Sequence, residues 1–137
     1  MTSRAASVLE HLEEASNFVA APHMQDALGG VLRIGGRDLL EKVVDLFQSM
    51  SRDRLEKMRS AVASGDRVQV SRLAHAMKGS AAQVGAEALR TMSFLLEQDA
   101  ASLDVPTMAK RIAQIEREVP LVWAALEHFR ATATNRT

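Results

Sequence analysis

Cysteine is absent from this sequence of 137 residues, and aromatic residues are scarce, with four phenylalanines, one tryptophan and no tyrosine. Without cysteine the chain forms neither disulfides nor thiolate metal sites, which fits a cytoplasmic protein. With so few aromatic side chains, the hydrophobic core has to be built from leucine, valine, methionine and alanine. The length is enough to bury one real core, so we expect a single domain over residues 1–137.

An excess of charge of either sign is also missing, because seventeen Lys and Arg residues balance seventeen Asp and Glu residues. A nucleic-acid-binding protein usually shows a basic excess, so we expect no nucleic-acid partner. No apolar run approaches the roughly 18 residues that cross a bilayer. The start of the chain has no signal-peptide core, because Glu10, Glu13 and Glu14 interrupt it. The sequence therefore predicts no membrane association and a cytoplasmic location.

Every strong periodicity in the sequence is helical, and alternating β-branched runs are missing, which predicts an all-α fold. An amphipathic helix over 5–20 should end at Pro22, so that residues 1–22 form an N-terminal helical extension. A short second helix near 24–33 should stop at Gly35-Gly36.

Four longer helical segments follow. Residues 37–64 form one bent helix, or two helices if Ser51 caps a break between them. Further helices are predicted over 66–83, over 86–101 and from Pro106 onward. Pro120 should interrupt and kink the last helix, and the tail over 131–137 should be frayed. The short connections predict an antiparallel four-helix bundle with one or two extra N-terminal helices.

His75 stands apart on a helical wheel of residues 66–83. The apolar side chains of this helix gather on one side, at Val70, Leu73, Ala74, Met77, Ala81 and Val84. His75 falls roughly 160° from the centre of that stripe and should face solvent. Gly79 follows one turn later, although a glycine inside a helix costs about 0.5–1 kcal/mol relative to alanine. We interpret Gly79 as open space through which a second protein reaches the imidazole, and Lys78 as a positive charge for an anionic group.

Residues 74–86 read AHAMKGSAAQVGA and resemble the signature of histidine-containing phosphotransfer (HPt) domains. That signature is His-x-φ-Lys-Gly-Ser/Ala, then a second glycine, then a helix that ends near Leu-Glu, as Leu96-Glu97 does here. The segment from Leu39 to Phe47 also resembles the family's first bundle helix, so the likeness spans about residues 25–101.

The resemblance implies a role for each matching residue. His75 would accept a phosphoryl group from a receiver-domain aspartate or a kinase and pass it to a response regulator. Lys78 would steady the phosphoryl oxygens, and Gly79 would keep the approach open. The receiver would supply Mg²⁺, so this chain needs no cofactor or metal and acts as a phosphocarrier without an ATP site. Glu97 matches a polar position, often Gln, that hydrogen-bonds the imidazole; it could raise the ring's basicity or repel phosphate.

The surface around His75 is expected to bind the receiver or a hybrid histidine kinase. We assign to it Val68, Ser71, Arg72, Ala82, Gln83, Arg90, Phe94 and Glu97. Phe94 falls nearly opposite the apolar stripe of its helix, so it either belongs to this surface or is covered by the N-terminal helix.

Three alternatives remain at this point. The chain could be a helical adaptor that binds a receiver or kinase without phosphotransfer, or the N-terminal domain of a chemotaxis-type kinase, which its short polar tail disfavours. His75 could also be a surface histidine without a role. A monomer is favoured over a dimer, although the N-terminal helix could pair two chains.

Overall fold

The computed structural model describes the backbone of residues 4–134 and the side chains of residues 23–133. Four helices, and no strand within the described range, make up the fold: α1 (Arg4–Ala63), α2 (Arg67–Val84), α3 (Glu87–Asp99) and α4 (Val105–Thr134). The predicted all-α fold is therefore confirmed.

Gly36 divides α1 into two segments. Its φ of 69° and ψ of −162° are the only non-helical values inside α1 and fall in a region that essentially only glycine occupies. The predicted stop at Gly35-Gly36 is thus confirmed. The predicted helix end at Pro22 is wrong, because α1 continues through it. A proline removes one backbone hydrogen bond, and the turns on either side keep theirs.

The segment of α1 after Gly36 is one helix as far as Ala63, and Ser51 caps no break in it. The buried Ser51 hydroxyl instead donates to the carbonyl oxygen of Phe47 at 2.6 Å and accepts from Trp123 Nε1 at 2.9 Å. Ser51 therefore joins α1 to α4.

The bounds of α2 agree closely with the helix predicted over 66–83. Asp66 accepts a hydrogen bond from the backbone N–H of Gln69 at 3.1 Å and so caps the first turn. Gly85 ends the helix in the left-handed conformation, with φ 72°.

The predictions for the last helix were partly wrong. α4 runs without interruption through Pro120 to Thr134, so residues 131–134 are helical rather than frayed; residues 135–137 lie outside the described range. Pro120 is exposed, whereas Val119 and Val122 beside it are buried. Packing of this face holds the helix together across the lost hydrogen bond.

The helices form a bundle in which α2 packs against α1 and α3, and α4 packs against the same two helices on the other side. No Cα atoms of the described residues of α2 and α4 lie within 8 Å of each other, so these helices are diagonal neighbours across the core. The core is aliphatic, as the composition predicts, and each helix contributes a methionine that is at most 1% exposed: Met58, Met77, Met92 and Met108.

The described end of the N-terminal segment covers one end of the bundle. Met24 and Leu28 are buried in the core. A Cβ atom on Gly85 would lie 2.4 Å from the carbonyl oxygen of His23, so this segment meets the α2–α3 turn at backbone distance. Among the described residues, no helix is long and apolar enough to span a membrane.

Candidate functional site

His75 lies on the outer face of α2. The buried residues of α2 are the six of the predicted apolar stripe, and the His75 side chain is 69% exposed. Its exposure is therefore what the helical wheel predicts.

Glu97 of α3 connects His75 and Lys78. One carboxylate oxygen, Oε2, lies 2.8 Å from His75 Nδ1, and the other, Oε1, accepts a hydrogen bond from Lys78 Nζ at 3.1 Å. A carboxylate only accepts hydrogen bonds, so Nδ1 is the donor, and in the neutral ring the lone pair is on Nε2. No described residue hydrogen-bonds Nε2. The geometry thus leaves Nε2 as the ring nitrogen whose lone pair has no hydrogen-bond partner among the described residues.

The charge of Glu97 is stabilised by its two partners. Its side chain is only 17% exposed. Burial by itself raises the pKa of Glu97, but the hydrogen bonds from Lys78 and His75, together with their charges, outweigh burial and hold the pKa below its usual value. Glu97 is therefore a carboxylate at neutral pH.

Gly79 faces open space. A Cβ atom built on it would meet nothing within 4 Å, unlike one on Gly85. Close helix packing therefore does not require a glycine at this position. The effect of the glycine is to leave open space on the face of α2 that carries His75.

Phe94 lies next to Lys78. The Lys78 Nζ atom is 5.5 Å from the centroid of the Phe94 ring. The Phe94 side chain is 41% exposed, so the described part of the N-terminal segment does not bury it. Phe94 is thus a partly exposed neighbour of Lys78. The alternative, cover by the N-terminal helix over 5–20, concerns side chains outside the described residues.

A shallow cavity lies beside Glu97 and extends along α2. It has a volume of about 360 Å³ and is lined by Arg67, Val68, Ser71, Arg72, Glu97 and Ala101. The Ser71 hydroxyl donates to the Glu97 carbonyl oxygen at 3.3 Å, and Val68 is 61% exposed. Sequence analysis missed Arg67 and Ala101. Ala101 follows Glu97 by four residues, but it lies beyond the end of α3, where helical spacing gives no guide.

The remaining predicted surface residues lie further from this cavity. Ala82 and Gln83 are exposed, and Gln83 lines a second, smaller groove with Leu46 and Met50 of α1. Arg90 pairs with Glu87 of its own helix at 2.9 Å. Sequence analysis did not single out Leu46, which is 57% exposed.

Comparisons with known proteins show which family and fold the chain shares. The family model described as Hpt domain matches residues 42–134 of the chain. The crystal structure of histidine-containing phosphotransfer protein B (HptB) from Pseudomonas aeruginosa PAO1 matches with a TM-score of 0.73 and 25% sequence identity. The match covers 81% of this chain and 96% of that chain. A search of curated proteins found no match.

The chain belongs to the Hpt domain family, because the family model covers well over half of it. Proteins of this family are phosphocarriers in phosphorelays and interact there with receiver domains and kinases.

Proposed function

We propose that His75 is the phosphorylated residue of this chain. It accepts a phosphoryl group from a receiver-domain aspartate or a kinase and passes it to a response regulator. One observation carries the proposal: the exposed imidazole donates from Nδ1 to Glu97 at 2.8 Å, which leaves the lone pair of Nε2 for attack.

The transfer from an aspartyl phosphate needs no proton movement at this site. The bond between Nε2 and phosphorus forms as the bond between phosphorus and the aspartate oxygen breaks, and the aspartate leaves as a carboxylate. The Nδ1 proton stays in place, so the product ring is an imidazolium paired with the Glu97 carboxylate. When the next receiver attacks, the ring leaves as the neutral imidazole. Mg²⁺ belongs to the receiver in both steps.

Lys78 and Gly79 support this transfer in different ways. Lys78 Nζ donates to Glu97 Oε1 at 3.1 Å, on the same carboxylate that accepts from His75, and we propose that it exchanges this carboxylate for the incoming phosphoryl oxygens. Gly79 leaves space next to the ring for the surface of the partner.

The partner surface is proposed to follow the exposed side of α2 and the adjacent side of α3. Its central part is the cavity between Val68 and Ala101, and its edge near Lys78 is Phe94. Ala82, Gln83 and Arg90 extend it toward the α2–α3 turn. We propose that the chain acts as a monomer, since residues 23–28 pack on their own bundle. We also propose that it acts in the cytoplasm.

The test is phosphotransfer from a phosphorylated receiver domain. We expect acid-labile, base-stable label on the wild-type chain and none on His75→Gln. His128→Gln is the matched control, because His128 is also exposed but lies on α4, the helix diagonally opposite α2 in the bundle. Equal labelling of the wild type and His75→Gln would refute the proposal. Unlabelled wild type that still binds the receiver would support the adaptor alternative.

A further inference from the structure

The Lys78 ammonium has two neighbours on α3. Glu97 Oε1 accepts its hydrogen bond at 3.1 Å, and the Phe94 ring centroid lies 5.5 Å away. Phe94 and Glu97 are three residues apart, so they occupy the same face of α3 on successive turns. The Lys78 side chain is 25% exposed, which means that these neighbours and the helix surface cover most of it.

The two neighbours respond differently to a phosphoryl group on Nε2. The phosphoryl oxygens compete with Glu97 for the ammonium, and Glu97 then has an imidazolium as its other partner. The Phe94 ring carries no net charge, but its face attracts a cation within about 6 Å. It therefore neither repels the phosphoryl group nor has to be displaced by it.

Phe94 has no role in the core that would explain an aromatic residue here. It points away from the buried face of α3, which consists of Ala88, Leu89, Met92, Ser93 and Leu96. A phenylalanine that stays 41% exposed leaves a large part of its ring in contact with water.

We propose that Phe94 is a positioning residue that keeps the Lys78 ammonium beside His75 while the lysine changes partner from Glu97 to the phosphoryl group. This inference rests on the proposed phosphotransfer at His75. A lysine has a flexible stem and would otherwise lose its position when the carboxylate releases it.

The experiment compares Phe94→Leu with Phe94→Tyr in receiver-to-His75 transfer. The leucine keeps apolar bulk without a ring, and the tyrosine keeps the ring. We expect Phe94→Leu to slow transfer at saturating receiver by about two- to five-fold, the range for a partly exposed cation–π contact, and Phe94→Tyr to restore it. Receiver affinity is measured separately by titration in each variant, so that transfer rates are compared at saturating receiver and a change in binding is not read as a change in rate.

A double-mutant cycle shows whether the effect passes through Lys78. In a Lys78→Met background, Phe94→Leu should cause no further loss of rate. Leu121→Ala is the matched control: this side chain is 43% exposed and lies on α4, and its loss should leave the rate unchanged. A Phe94→Leu rate equal to wild type, or a loss that persists in the Lys78→Met background, would overturn the inference.

A second measurement does not depend on phosphotransfer. The ring current of Phe94 should shift the ε-methylene proton resonances of Lys78 upfield, and Phe94→Leu should remove this shift. Its absence in the wild type would refute the contact itself. Absence of label on wild-type His75 would instead refute the proposed function, and with it the positioning role.

Discussion

The Nδ1 atom of His75 and the Oε2 atom of Glu97 are 2.8 Å apart, although the two residues are 22 positions apart in the chain and lie on different helices. This contact determines which ring nitrogen carries the proton and which is left to react. It also places a negative charge beside a ring that becomes positively charged during the proposed transfer.

Two substitutions of Glu97 should distinguish the effect of its hydrogen bond to His75 from the effect of its negative charge. Glu97→Gln still offers an oxygen to Nδ1, so we expect it to accept phosphate, whereas Glu97→Ala loses the acceptor and should slow transfer about ten-fold or more, as for a lost charge-assisted hydrogen bond. Without the carboxylate, the positively charged phosphorylated ring loses its paired negative charge. The share of the phosphoryl group on His75 at equilibrium with a receiver should therefore be lower in Glu97→Gln than in the wild type. Equal shares would contradict this role.

The lowered pKa of Glu97 has a consequence for acid stability. A carboxyl group whose pKa is lower in the folded protein stabilises the fold above its unfolded pKa, roughly 4.3, and this contribution disappears as pH falls through the folded value. The difference in the free energy of unfolding between wild type and Glu97→Gln should therefore narrow in acid. Urea titrations from neutral pH down to about pH 2 would measure this difference.

The substitution Lys78→Met should raise the pKa of Glu97, because it removes a hydrogen bond and a positive charge from the carboxylate. NMR titration of Glu97 in the wild type and in Lys78→Met would measure the change, and an unchanged midpoint would contradict it.

Substitution of Gly79 should affect stability and function in opposite directions. A Cβ atom there meets no neighbour within 4 Å, so Gly79→Ala should increase the free energy of unfolding by about 0.5–1 kcal/mol. Gly79→Gln should also fold well, yet its side chain should obstruct the partner's approach and reduce phosphotransfer. Ala109→Gln, at an exposed position on α4, is the control for added bulk. Full transfer activity in Gly79→Gln would exclude the access role.

Alanine substitutions at two glycines with positive φ, Gly65 and Gly85, test whether the N-terminal segment packs against the α2–α3 turn. Gly65→Ala has open space around its Cβ and should destabilise by about 1–2 kcal/mol through the left-handed backbone alone. Gly85→Ala has nearly the same φ but also meets the His23 carbonyl oxygen at 2.4 Å, so its loss should be larger. Urea unfolding of both variants gives the comparison. Equal losses would mean that the segment does not pack against this turn in solution.

Single-helix periodicity allowed much of the site to be predicted. The six buried residues of α2 and the exposure of His75 follow from the 3.6-residue repeat, because one helix presents each residue at a known angle. The sequence predicted that Pro22 ends its helix and that Pro120 interrupts its helix, but both helices continue through these residues. A proline weakens a helix locally, but flanking turns and, at Pro120, a buried face on both sides outweigh that local cost.

The sequence by itself determined the all-α class, the core stripe of α2, the outward position of His75 and the break at Gly35-Gly36, since these depend on local backbone preferences and on residue spacing. Only the tertiary structure decided that Glu97 bonds both His75 and Lys78, that Phe94 lies beside that lysine, and that Arg67 and Ala101 share a cavity with Val68. Those contacts depend on how α2 and α3 pack against each other, and spacing within one helix carries no information about the register between two.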